Sequence, residues 1–105
     1  MSGATAALLE EALQLSRQLL AAAERGDGQA VALLDAQRLQ LLKSARNGAG
    51  APDAHERLLL QEIALLNDKS IGSLEHHRRI KGRQLDVAIA GRRAVHAYAH
   101  AGQMR

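Results

Sequence analysis

The sequence has no cysteine, no tryptophan and no phenylalanine, and only one tyrosine and one proline. Without cysteine, disulfides, thiolate zinc sites and cysteine nucleophiles are excluded, which fits a reducing compartment. Aromatic residues make up 1% of the chain, and only four Ile and three Val supply β-branched aliphatic bulk. Those are the residue types that populate pleated surfaces, so a β-sheet is disfavoured. Long apolar runs are missing too. The opening MSGATAALLEEALQLSRQLL carries Glu10, Glu11 and Arg17 inside its apolar region, which predicts neither a signal peptide nor a membrane anchor. A protein acting in the cytoplasm is the expectation.

Leucine and alanine dominate what is present, and both favour helix. The 105 residues have room for one domain, spanning 1–105. Two breaks divide it: Arg25-Gly26-Asp27-Gly28, and Asn47-Gly48-Ala49-Gly50-Ala51-Pro52-Asp53. Glycine ends helices by tolerating left-handed dihedrals, and a following Asp can cap the next helix. The expected fold is therefore all-α, with helices over about 4–25, 28–46 and 54–90 and a flexible tail over 91–105. The first two form an antiparallel hairpin packed on the long third helix, a three- to four-helix bundle.

Apolar spacing of three and four carries the packing expectation. The first helix has Leu9, Leu13, Ser16, Leu20 and Ala23 on one stripe, widened by Leu8, Ala12 and Leu19. The second has Val31, Leu34, Leu41, Leu42 and Ala45, and the third Leu59, Ile63, Leu66, Ile71, Leu74, Leu85, Ala88 and Ile89. At about 1.5 Å per residue the third helix outruns the first two and overhangs the hairpin. Leu15, Leu33, Leu39, Leu58, Leu60 and Leu65 fall off these stripes. A second apolar face either flanks a broad core or is covered by another chain, as a dimer surface or a groove for an amphipathic helix.

Catalytic chemistry finds little support. Glu10 with Glu11, Glu56 with Glu62, and Asp68 with Glu75 lie among Arg, Lys and Gln, as on ordinary polar faces. No phosphate loop follows a strand pattern, and no GxSxG elbow occurs. His96 and His100 stand four apart, half of a zinc site, but no acidic residue follows Asp86 to complete it. His76 and His77 diverge by about 100° on a helix. No enzyme activity, cofactor or metal is therefore expected. Seven of the fourteen Lys and Arg lie from His76 onward. The run HHRRIKGR suits an acidic partner better than nucleic acid, because stacking aromatics and a tight helix-turn-helix are missing.

Two stretches resemble the FliT family of flagellar type III export chaperones. Leu19-Leu20-Ala21-Ala22-Ala23-Glu24-Arg25-Gly26-Asp27, followed by a helix with Ala30, Val31, Leu33, Leu34, Gln37, Arg38, Leu41 and Leu42, is similar to that family's first hairpin. Leu65-Leu66-Asn67-Asp68-Lys69-Ser70-Ile71, Arg78-Arg79-Ile80 and Arg92-Arg93-Ala94-Val95-His96-Ala97-Tyr98 resemble its long helix and terminal Ala-Tyr. Where family members carry Trp after the Gly-Asp pair, this chain has Gly28, a smaller anchor for the turn.

The resemblance implies a chaperone that binds the C-terminal segment of the filament-capping protein FliD, prevents its early assembly and delivers it to the export apparatus. It further implies a partner-binding groove lined or flanked by Leu34, Arg38, Leu41, Ile71, Leu74 and Arg78, with Tyr98 acting on it from the tail. Contacts with export-gate or export ATPase components, and a homodimer, are compatible with it. Read without the resemblance, each Leu and Ile can be plain core and Arg38 an ordinary surface ion pair. The competing functions are a self-associating helical adaptor without a client and a small nucleic-acid-binding protein.

Overall fold

The computed structural model describes the backbone of residues 2–48 and 50–99 and the side chains of residues 3–48 and 50–83. Three α-helices, α1 (Ser2–Glu24), α2 (Gly28–Asn47) and α3 (Ala54–Ala99), account for nearly all of it, and no strand occurs among the described residues. The third helix passes through Gly82 and Gly91 to Ala99, so residues 91–99 are helical rather than the start of a tail. Glycine costs about 1 kcal/mol relative to alanine in a helix interior, a cost too small at isolated positions to end so long a helix. The chain divides into two compact units, residues 1–74 and 75–105.

In the first unit both breaks end one helix and start the next, but the left-handed glycine expected at each is found at the first: Gly48, at the end of α2, keeps a right-handed φ of −95°. Gly26 takes φ 72°, the left-handed conformation in which a side chain would be strained. Its N–H donates to the Ala23 carbonyl at 3.0 Å, and the Asp27 N–H donates to the Ala22 carbonyl at 2.9 Å. These two bonds satisfy carbonyls that the end of α1 would leave orphaned. Asp27 then starts α2, its Oδ1 accepting from the Ala30 N–H at 3.1 Å. At the start of α3, Asp53 Oδ1 accepts from the Glu56 N–H at 2.8 Å while Glu56 Oε1 accepts from the Asp53 N–H at 2.9 Å. This reciprocal box satisfies two donors at once.

The core is small and lean. Leu9, Ala12 and Leu13 of α1, Ala45 of α2, and Leu59 and Ile63 of α3 form one buried cluster, with Leu8, Leu41, Leu42 and Leu66 packed against it. Leu19, Ala22 and Ala23 are buried towards the other end of α1. Alanines with no exposed surface let helix backbones approach closely, as ridges set into shallow grooves require. Arg17 pairs with Glu62 at 3.0 Å and His55 with Glu10 at 3.4 Å, both joining α1 to α3 at an offset of 45 residues. A constant offset means that these two stretches run parallel.

One expectation about the stripe of α3 needs correction. Ile71 is exposed by 48%, while Ser70 beside it is buried. From Leu59 the inward positions step through Ile63, Leu66 and Ser70, by four, three and four residues. Ile71 is displaced from that line by about 100°. Ser70 is tolerated inside because its hydroxyl donates to the Leu66 carbonyl at 2.9 Å. Leu85, Ala88 and Ile89, also expected on the stripe, lie outside the described side chains.

Candidate functional site

The candidate residues of the first unit lie on α2 and α3. Leu34, Arg38 and Leu41 occupy one face of α2 at spacings of four and three, and Ile71 and Leu74 stand three apart on α3. Leu34, Leu41 and Leu74 are half-buried, Leu41 against the core cluster, and Ile71 is exposed. Arg78 is exposed and belongs to the second unit. Tyr98 is in α3, in the same unit, and its side chain lies outside the described residues.

Arg38 is the informative departure. It is 8% exposed, so it is no ordinary surface ion pair. One terminal nitrogen, Nη2, donates to Asp35 Oδ1 at 2.7 Å and to Asn67 Oδ1 at 2.9 Å. The other, Nη1, donates to Ser16 Oγ at 3.4 Å, while that hydroxyl donates to the Ala12 carbonyl at 2.8 Å. A single guanidinium thus joins α1, α2 and α3. Its planar fork suits such a junction, which the compact ammonium of lysine could not span. Its Nε has no partner. Arg38 therefore holds the helices on which Leu34 and Ile71 are carried, and presents no free charge to a ligand.

Apolar surface is the second feature. Of the six leucines that fall off the inward stripes, Leu33, Leu39, Leu58, Leu60 and Leu65 are exposed, and only Leu15 is half-buried. Leu58 and Leu65, 63% and 55% exposed, are seven residues apart on α3 and so share one helical face. They do not flank a broad core.

A third feature was not legible in the sequence. An apolar cleft of about 410 Å³ opens where the start of α1, the end of α2 and the start of α3 meet. Leu9, Leu42, Ala45, Pro52 and Leu60 supply its apolar walls, and Thr5, Arg46, Gly50 and Glu56 complete them. Glu56, expected on a polar face, is 3% exposed, because the capping box folds its side chain back against the helix end. Its Oε2 is buried and unpaired.

The other chemistry-bearing groups are dispersed. Glu62 pairs with Arg17 and Glu10 with His55, all at exposed positions. The His76 and His77 rings meet edge to face, centroids 6.0 Å apart. Among the described residues no cluster of three His, Asp or Glu could hold a metal ion, and no helix is long and apolar enough to cross a membrane. His96 and His100 lie outside the described side chains. No protein-family model, curated protein or solved structure matches the chain. Fold and surface together define a small helical bundle with uncovered aliphatic side chains.

Proposed function

We propose that the protein is a FliT-type flagellar export chaperone, acting in the cytoplasm, that holds the C-terminal segment of the filament-capping protein FliD until export. In this reading the hairpin of α1 and α2 packs on the first half of α3, and an amphipathic helix of the client lies on aliphatic surface offered by α2 and α3. The observation that carries it is the exposure of Leu33, Leu39, Leu58, Leu65 and Ile71 outside the buried cluster of Leu9, Ala12, Leu13, Ala45, Leu59 and Ile63. Several exposed aliphatic side chains on a small protein call for a protein partner, and an amphipathic helix covers such side chains with anchors at three- and four-residue spacing. The sequence resemblance supplies the identity of that partner. Within the first unit Leu34, Leu41, Ile71 and Leu74 line or flank the surface, and Arg38 positions it. The reading assigns no catalysis, cofactor or metal. Delivery to export-gate or export ATPase components would follow client capture.

The test is calorimetric titration with the C-terminal peptide of FliD. Leu41 packs on the core, so its substitution would confuse binding with folding. Ile71→Glu and Leu65→Glu alter exposed positions and leave the core intact. Micromolar binding that both variants weaken by about tenfold or more, with helicity retained, is the expected result. A stable homodimer that ignores the peptide and falls apart in the same variants would establish the self-associating adaptor instead. Binding to nucleic acid that declines steeply with salt would support the third alternative.

A further inference from the structure

Past residue 74, α3 carries a further stretch of packing seam with charge of one sign on its flanks. We infer that this stretch docks an acidic amphipathic helix of a partner polypeptide, laid along α3 as α1 is in the first unit. The inference rests on α3 itself and does not depend on which client the chaperone carries.

The register of α3 is the starting point. Its enclosed positions Glu56, Leu59, Ile63, half-buried Leu66 and Ser70 step alternately by three and four residues, the 3.5-residue period of a helix packed along another. The same steps lead to Ser73 and His77, both half-buried, and to Ile80, 39% exposed. In the sequence they continue without a slip through Gln84, Val87, Gly91, Ala94 and Tyr98, all within the helix. α1 accompanies the first part. Its ion pairs with α3, Glu10 to His55 and Arg17 to Glu62, mark one flank of the seam at a spacing of one heptad. The offset of 45 residues matches Glu24, the last residue of α1, to position 69 of α3, so α1 has nothing left to lay along the register beyond it.

Charge selects the occupant. Continuing the heptad from His55 and Glu62 puts Lys69, His76 and Arg83 on that flank, and Lys81 lies on the other, next to Ile80. Lys81 and Arg83 are exposed, as are Arg78 and Arg79 further round the helix, and none of the four makes an ion pair among the described residues. No carboxylate lies between Glu75 and Asp86. A second copy of the same segment would set cation against cation in either direction, which is destabilising. A helix with Glu or Asp on its flanks meets both Lys81 and Arg83 with opposite charge. A bilayer suits the segment less well, because an interfacial helix inserts bulky Leu, Phe or Trp. This register holds Ser, His, Gln, Gly and Ala besides Ile80, Val87 and Tyr98, and small residues let a second helix approach closely.

The test uses the full chain and two synthetic helical peptides about four heptads long, with Leu and Ala on the seam and either Glu or Lys on both flanks. At low salt the glutamate peptide should bind at least about tenfold more tightly than the lysine peptide by fluorescence anisotropy, and the gap should narrow as salt rises. Reversing the flanks with Lys81→Glu and Arg83→Glu together should exchange the preference. Ile80→Gln leaves every cation in place and should still weaken the glutamate peptide by about tenfold, which separates a docked helix from loose attraction between opposite charges. All three positions are exposed and lie outside the buried cluster, and circular dichroism checks that helicity is retained. Equal affinity for the two peptides, a preference that survives the charge reversal, or indifference to Ile80→Gln would overturn the assignment. So would tighter binding to duplex DNA or to phosphatidylglycerol vesicles, or a homodimer of the native chain that Ile80→Gln dissociates.

Discussion

Asn67 Oδ1 accepts a hydrogen bond from Arg38 Nη2 at 2.9 Å, linking the middle of α2 to α3 at a buried point where the same guanidinium also reaches Asp35 and Ser16. The partners differ in exposure: Asp35 is open to solvent by 56% of its side chain, so the ion pair is only half withdrawn from water. Solvent screening leaves such a pair worth little as an attraction between charges. Placing the guanidinium and satisfying its donors matter more.

Arg38→Ala should therefore lower stability by about 2 kcal/mol, because it leaves a void and removes donors from Asn67 and Ser16. Asp35→Asn should cost less than about 1 kcal/mol, since its carboxylate can turn to water. Urea unfolding of both variants checks the order. A double-mutant cycle between Arg38 and Asn67 should show coupling of about 0.5 kcal/mol or more.

The helix ends make a second set of expectations. Gly26→Ala forces a Cβ into a left-handed backbone and should cost about 1–2 kcal/mol. Asp53→Ala removes half of the capping box and should cost about 1 kcal/mol. Thermal unfolding followed by circular dichroism reads both, and Gly26→Asn should recover part of the first loss.

Buried and exposed aliphatics should separate cleanly. Leu13→Ala and Ile63→Ala empty the shared core and should each cost about 2–5 kcal/mol. Leu58→Ala and Leu65→Ala should stay within about 0.5 kcal/mol in the free protein. Denaturant titration measures the first pair, and peptide affinity is the property that the second pair should change.

Salt should matter little to the fold. The Arg17–Glu62 pair is about half exposed on both sides, so Glu62→Gln should change stability by less than about 1 kcal/mol. Unfolding midpoints at low and high sodium chloride should differ only slightly for this pair.

Much of the fold was legible in the residues, and the reasons are local. Gly26 and Asp27 mark a helix end and a helix start by backbone conformation and side-chain reach alone, and Pro52-Asp53 does the same before α3. The stripe through Leu9, Leu13 and Ser16 follows from a period of 3.6 residues. The off-stripe leucines declared themselves by the same rule, and most prove exposed.

Where sequence pattern and structure differ, the deciding contact lies between helices. Hydrophobicity favours Ile71 for the interior, while the position facing the bundle falls on Ser70. Arg38 and Glu56 carry charges that composition assigns to the surface. Burial becomes tolerable for Arg38 because Asn67 and Ser16 meet it from other helices, and for Glu56 because its capping bond turns the side chain inward. The sequence by itself determined the three helices, their caps and the surplus of leucine, since each rests on bonds and spacings within a few residues. Only the tertiary structure decided which polar groups are enclosed and that an apolar cleft opens between the helix ends, since both depend on side chains brought together from distant parts of the chain.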